Sequence, residues 1–408
     1  MSLAKWELLD RLSYLPKGDQ PGSLACLSVR FALEFNADEA GRDVACTQVE
    51  RHMRLCVVGN AGSEKFITSA GSEPLLAEAA YEVMERNGTS AVRHLADHSD
   101  LHCIERGRRG ELVATTLIMH AYDEARNKRS RWMSVSAFMK ALLPPAEYDT
   151  LLKRRPTFWR TKDDKPFEET FEDYGMWFNH VIKVEDNKMI SADHLWQFVT
   201  RGAMVLLSNN QAYVDIVLPV CDTKQTLSRD SMTAILIRVK NAEHFEKNIQ
   251  ETLFDMMSPF DLGMFPEEGS PTTVTVTPKP VIRLVLALAS PEAGVVFREQ
   301  PERTKSRRDT SFTAFDIWLA GLSTATYGKI GDASDLDAYR ALVDRSLWPH
   351  WHGGFELMED PHVGDAAKKL RGCRRRRVAP LTLSHPDHKS IYRESVRALA
   401  AISDLNVR

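Results

Sequence analysis

The spacing of apolar positions along the chain changes at Ala203. Before it, helical spacing dominates. Leu75, Leu76, Ala79, Ala80 and Val83 recur at that spacing, which predicts a helix capped by Ser72, opened by Glu73 and Pro74 and stopped by Asn87-Gly88. Leu112, Val113, Thr116, Leu117 and Ala121 predict a second helix from about Arg109 to Arg126. Residues 132–201 read as mostly helical, with helices at Val135 to Leu143, around the aromatic-rich Phe167 to Val184, and at Ala192 to Thr200. That stretch is too long for a simple connection, so it is predicted to be a helical insertion. From Ala203 on, near-continuous apolar runs replace the helical period. Ala203 to Leu207, Tyr213 to Val220 and Thr233 to Val239 suit strands buried on both faces. A helix from Asn241-Ala242 to Met257 and a fourth strand, Val281 to Ala289 after Pro280, follow.

The two ends are plainer. Leu24 to Phe35 is mostly apolar, and Met53 to Val58 with Lys65 to Thr68 predict a hairpin across Gly59-Asn60-Ala61-Gly62. Beyond Ser290 the pattern predicts helices at Phe312 to Leu322, Asp335 to Ser346 and Tyr392 to Ala401, with a loop at Trp348 to Gly354. The expected fold class is α/β (α+β): a small mixed sheet of about four strands flanked by helices. The expected organisation is an N-terminal extension, 1–70, a core, 71–290, with its helical insertion, 132–201, and a helical C-terminal region, 291–408.

Composition narrows the class. The chain has 408 residues, 43% of them hydrophobic, and a formal net charge of −3, so the whole molecule carries no basic footprint for nucleic acid. Basic residues instead cluster at Arg106 to Arg109, Lys128 to Arg131, Lys153 to Arg155, Arg303 to Arg308 and Lys368 to Arg377. Such clusters are commonly solvated faces. The run Arg374-Arg375-Arg376-Arg377 is the best candidate for a phosphate-binding or nuclear-import segment. Six scattered cysteines without a C-x-x-C pair read as reduced thiols of an intracellular protein, in cytoplasm or nucleus. The first twelve residues, MSLAKWELLDRL, are amphipathic and lack the apolar core of a secretory signal. No apolar run approaches a membrane span, so no membrane partner is expected. His94, His98 and His102 fall at helical i, i+4, i+8 beside Cys103, a zinc-like ladder, but Ser99-Asp100 interrupts it and favours a surface loop.

The chemistry concentrates between Gly202 and Asn241. The second strand-like run carries one acid, Asp215, and the third ends in Arg238-Val239-Lys240. Upstream stands Gly107-Arg108-Arg109-Gly110-Glu111-Leu112-Val113-Ala114. Alone, an Asp on one strand and a Lys on the next is more often a strand-end salt bridge. Together with the helix before them, the order helix, strand, strand with Asp, strand ending in Lys, helix, strand resembles the PD-(D/E)xK nuclease superfamily over roughly residues 104–290. That resemblance implies a PD-(D/E)xK-like core and hydrolysis of nucleic-acid phosphodiesters, DNA favoured, by water activated on Mg²⁺ (or Mn²⁺). It implies catalytic roles for Glu111, Asp215 and Lys240. Asp215, Glu111 and the Val239 carbonyl would be metal ligands. Arg108, Arg109, Arg238 and Arg374 to Arg377 would contact nucleic acid.

One position departs from the pattern. The superfamily has Glu or Gln two residues before the lysine, and here it is Arg238. Arginine cannot coordinate a cation; beside Asp215 it would compete with the metal or contact phosphate. Either another acid, such as Asp230 or Glu243, supplies the missing ligand, or the chain is a catalytically degenerate nuclease-fold effector or scaffold. The segments 71–80, 105–114, 214–220 and 237–241 also look like expanded families of mushroom-forming fungi, including Crinkler-type proteins. Some of those carry an NTPase module, for which this sequence has no Gly-rich Walker loop.

Overall fold

A computed structural model of the chain describes residues 1–35, 39–59, 66–88, 90–99, 109–126, 132–159, 165–184, 190–208, 213–241, 245, 248–265, 279–299, 312–328 and 330–347. It opens with helices α1 (Ser2–Leu8), α2 (Gln20–Phe31) and α3 (Glu39–Arg51), then strands β1 (Arg54–Gly59) and β2 (Phe66–Ala70). Helices α4 (Pro74–Arg86), α5 (Ala91–Ser99) and α6 (Arg109–Ala125) follow. Next come β3 (Met133–Ser134), α7 (Val135–Leu142), α8 (Pro145–Lys153), α9 (Phe167–Thr170), β4 (Tyr174–Met176), β5 (His180–Lys183) and α10 (Ala192–Arg201). The last group is β6 (Ala203–Leu206), β7 (Ile216–Asp222), β8 (Met232–Lys240), α11 (Glu251–Asp255), β9 (Val281–Ala287), β10 (Gly294–Phe297), β11 (Ala314–Ala320) and α12 (Ala333–Leu347).

Among the described residues one mixed sheet gathers nine strands. Its path runs β10, β11, β9, β8, β7, with β7 antiparallel to β8 and β9 parallel to both β8 and β11. The far edge of β7 is shared. Antiparallel β6 pairs with its first residues (Leu206 opposite Ile216) and β4 with its last (Gly175 opposite Cys221). Pro219 falls between these two partners, where the ladder on that edge is interrupted and a missing N–H is tolerated. β5 extends β6 in parallel and β3 extends β4.

Strand alternation divides the core into two layers. Ile216, Leu218, Ile235, Ile237, Leu284, Phe315 and Ile317 face the layer that includes α2, α4, α6, α7 and α12. Val217, Leu236, Val285 and Trp318 face the layer that includes α10 and residues 254–265. Helix α2 shows why the first seventy residues belong to this core. Asp19 caps it by accepting from Gly22 N–H at 3.1 Å. Every residue from Gly22 to Phe31 is buried, so the helix is enclosed on all sides. β1 and β2 pair as expected, in a separate two-stranded sheet.

Three expectations need correction. The sheet has more than four strands. The stretch 132–201 is not a helical insertion, because it contributes β3, β4 and β5, and only Phe167–Thr170 of the expected aromatic helix is helical. Its aromatics instead form a core cluster: the Phe167 ring lies 4.9 Å from Phe171 and 5.3 Å from Phe315. The C-terminal region is not purely helical either, since Ala314–Ala320 is the fully buried strand β11. A short run buried on both faces has no periodicity by which to tell strand from helix. α12 forms where expected, whereas the helix after Asn241 is described only as Glu251–Asp255.

A buried ionic network fastens this end of the sheet. Arg283 on β9 donates from Nε and Nη2 to the two carboxylate oxygens of Asp316 on β11, both at 2.7 Å, and from Nη1 to the Phe254 carbonyl at 2.7 Å. Arg298 adds bonds to Asp255 and Glu251 at 2.9 Å each and reaches Asp316 at 3.3 Å. Each of the three guanidinium nitrogens of Arg283 makes a hydrogen bond, which is what makes burial of such charges tolerable.

Candidate functional site

Asp215 is held by its own backbone. Its N–H donates to the Ile237 carbonyl at 2.8 Å, and its carbonyl accepts from Leu207 N–H at 2.9 Å, so β6 and β8 grip it from opposite sides. Two residues earlier Tyr213 has φ +95°, a conformation that costs a side-chain-bearing residue energy and sets the entry into β7. The Asp215 carboxylate then reaches the end of β8. Its Oδ2 accepts from Val239 N–H at 2.6 Å. Arg238 Nε stands 3.6 Å from the same oxygen, an ion pair beyond hydrogen-bond length. Arg238 Nε and Nη1 are buried and make no hydrogen bond among the described residues.

Lys240 completes the corner. Its carbonyl accepts from Leu288 N–H at 2.8 Å and its ammonium lies 5.4 Å from the centre of the Phe245 ring, a cation–π contact. Since Lys240 bonds toward β9, alternation directs the N–H and C=O of Val239 the other way, toward Asp215. The sequence therefore places Asp215, Val239 and Lys240 in one corner, as expected from their spacing.

Glu111 lies in the first turn of α6, whose start approaches the same end of β8. A β-carbon on residue 110 would come within 3.0 Å of Asn241 Cβ, so glycine is what permits the approach. Arg108, Glu243 and Arg374 to Arg377 lie outside the described residues, as do the side chain of Arg109, His102 and the side chain of His98. Asp230 cannot serve as a ligand here. It precedes β8, and Lys240 ends that nine-residue strand, roughly 30 Å away along the extended chain.

Ionisation in the corner is dominated by burial. Desolvation raises the Asp215 carboxyl above its ordinary range, against the lowering effects of Arg238, the Val239 N–H and Lys240. Desolvation also lowers the Lys240 ammonium, helped by Arg238 and opposed by Asp215. Both groups are thus pushed toward their neutral forms. The contact of Phe245 with Lys240 was not foreseen, since spacing along the sequence does not show which ring meets the ammonium.

A divalent cation fits this corner poorly. Among the described residues no three His, Cys, Asp or Glu side chains gather to hold a metal. Asp215, the principal ligand expected, already accepts an N–H and faces a guanidinium on the same oxygen. Mg²⁺ takes hard oxygen ligands, one or two of them carboxylates, and a guanidinium beside the principal one opposes it directly.

Comparison with known proteins yields a family and no further relative. Residues 17–268 match the family described as "Domain of unknown function (DUF8736)", and the chain belongs to that family. No curated protein matches the chain, and no solved structure matches it. Among the described residues no helix is long and apolar enough to cross a membrane.

Proposed function

We propose that the chain carries a PD-(D/E)xK-like core whose Asp215–Arg238–Lys240 corner binds the phosphate backbone of nucleic acid and is degenerate for cleavage. The observation that carries this reading is Arg238. It occupies the position of the missing acid, 3.6 Å from Asp215, in a side chain 20% exposed whose buried Nε and Nη1 have no hydrogen-bond partner among the described residues. Two cations against one carboxylate make the corner suited to an anion. Phosphate oxygens are the acceptors that a planar guanidinium matches best. The order α6, β6, β7, β8, α11, β9, with three antiparallel strands and a fourth parallel to β8, supports the resemblance in topology.

One observation favours a second reading, metal-dependent hydrolysis. Burial lowers the Lys240 ammonium, and a lysine more readily deprotonated suits a base for the attacking water. Labelled duplex and single-stranded DNA incubated with Mg²⁺ or Mn²⁺ separates the two. The proposed reading predicts binding without cleavage. Metal-dependent cutting that Asp215→Ala and Lys240→Ala both abolish would establish the nuclease instead.

A further inference from the structure

On a different part of the molecule, four side chains from distant segments form an ordered chain of hydrogen bonds. Ser72 lies in the turn before α4, where Glu73 N–H bonds back to the Gly71 carbonyl at 3.0 Å. Its Oγ is 2.9 Å from Nε2 of His180 on β5. His180 Nδ1 is 2.8 Å from Asn179 Oδ1. The Asn179 amide is oriented by its own second bond, Nδ2 donating to the Pro74 carbonyl at 3.0 Å. Oδ1 therefore faces the histidine, so Nδ1 carries the imidazole proton and Nε2 presents its lone pair. The Ser72 O–H can then only donate to Nε2. Arg201 Nε donates to Ser72 Oγ at 3.2 Å, and its Nη2 to the Ser72 carbonyl at 2.6 Å.

From this geometry we infer that Ser72 is a nucleophile toward carboxylic esters, with His180 as its base and Asn179 as the residue that positions the base. The order hydroxyl, imidazole, orienting amide is what nucleophilic acyl transfer requires. His180 is fully buried, whereas Ser72 is half-buried and Arg201 is exposed, so the hydroxyl is the member solvent can reach. Immediately after Ser72, α4 begins with Pro74, and its N-cap Glu73 makes no side-chain capping bond. The N–H groups of Leu75 and Leu76, which follow Pro74, and the Arg201 guanidinium would be the donors for a developing oxyanion. In the reaction, Ser72 Oγ bonds to the acyl carbon as its proton moves to His180 Nε2. The carbon–oxygen bond to the alcohol breaks, and the alcohol leaves with that proton. Water then cleaves the acyl-serine by the same path, releasing the acid and restoring the hydroxyl.

The test is covalent labelling of the full chain by a fluorophosphonate probe, mapped by mass spectrometry. Wild type is expected to label at Ser72 and Ser72→Ala to lose labelling. Arg201→Gln, at an exposed position, is expected to slow labelling about a hundred- to a thousand-fold while the protein stays folded. Burial, Arg201 and Arg30, the charged groups facing the ring, bring His180 down to about 4. Labelling should therefore be flat across neutral pH and fall only as pH approaches that value. Asn179→Asp, which places a charge on Nδ1, should move that fall to higher pH, which a merely structural bond would not do. A folded wild type that resists a probe labelling a control esterase, or equal labelling of Ser72→Ala, overturns the inference.

Discussion

Two arginine–aspartate pairs lie on the same face of one sheet and behave oppositely. Arg283 and Arg238 sit on neighbouring strands, with Leu236 opposite Arg283 and Arg238 opposite Val285. Arg283 meets Asp316 through two bonds of 2.7 Å and stacks between Phe158 and Phe312, ring centres 5.4 and 5.5 Å away. Arg238 meets Asp215 only at 3.6 Å, and its buried Nε and Nη1 make no hydrogen bond among the described residues. Side-chain exposure is 2% and 0% in the first pair but 20% and 18% in the second. A pair that holds a fold together must be saturated, because desolvated charges are repaid only by complete bonding. The pair at the end of the sheet is incompletely bonded, and under the proposed function it is the one that meets phosphate.

Mutations sharpen the contrast. Removing the saturated pair's acid should have the largest effect: Asp316→Ala should cost about 3–5 kcal/mol of stability, read by urea unfolding, because Arg283 is left as an unpaired buried charge. Equal tolerance of Asp316→Ala and Asp215→Ala would erase the distinction. Arg238→Gln comes next. It should weaken DNA binding about tenfold, the worth of one charge-assisted hydrogen bond of about 1.5 kcal/mol, with stability little changed.

The smallest effect is a pH signature at Asp215. Its folded-state pKa is raised, so the folded state holds the proton more tightly than the unfolded chain does. The stability this gives is present below the ordinary carboxylate range and is lost as pH rises through the raised value. Asp215→Asn, which imitates the protonated form, should therefore melt slightly higher than wild type at neutral pH. The gap should close on acidification, as thermal melts across pH would record.

Much of the site's corner was legible in the sequence and much of the sheet was not. β6, β7 and β8 announce themselves because each is a branched apolar run bounded by polar turns, and Asp215 and Lys240 stand out as the charges inside and at the end of those runs. β11 did not, because Ala314–Ala320 is buried on both faces and fits a helix as well as a strand. β4 and β5 are short, three and four residues, and lie in an aromatic stretch whose partners are distant in sequence. The same non-locality hid the Ser72–His180 bond, which spans 108 residues. Arg238 was legible as an anomaly, but its distance from Asp215 and its unsatisfied nitrogens belong to the folded chain alone.

The most direct test of the account is the salt dependence of DNA affinity, measured by fluorescence anisotropy in EDTA for wild type and Arg238→Gln. Wild type should bind without metal. Arg238→Gln should lower the slope of log affinity against log salt by about 1, the loss of a single phosphate contact. Identical slopes for the two proteins, or binding that appears only when Mg²⁺ is added, would contradict the assignment of Arg238 to phosphate and return the corner to a metal.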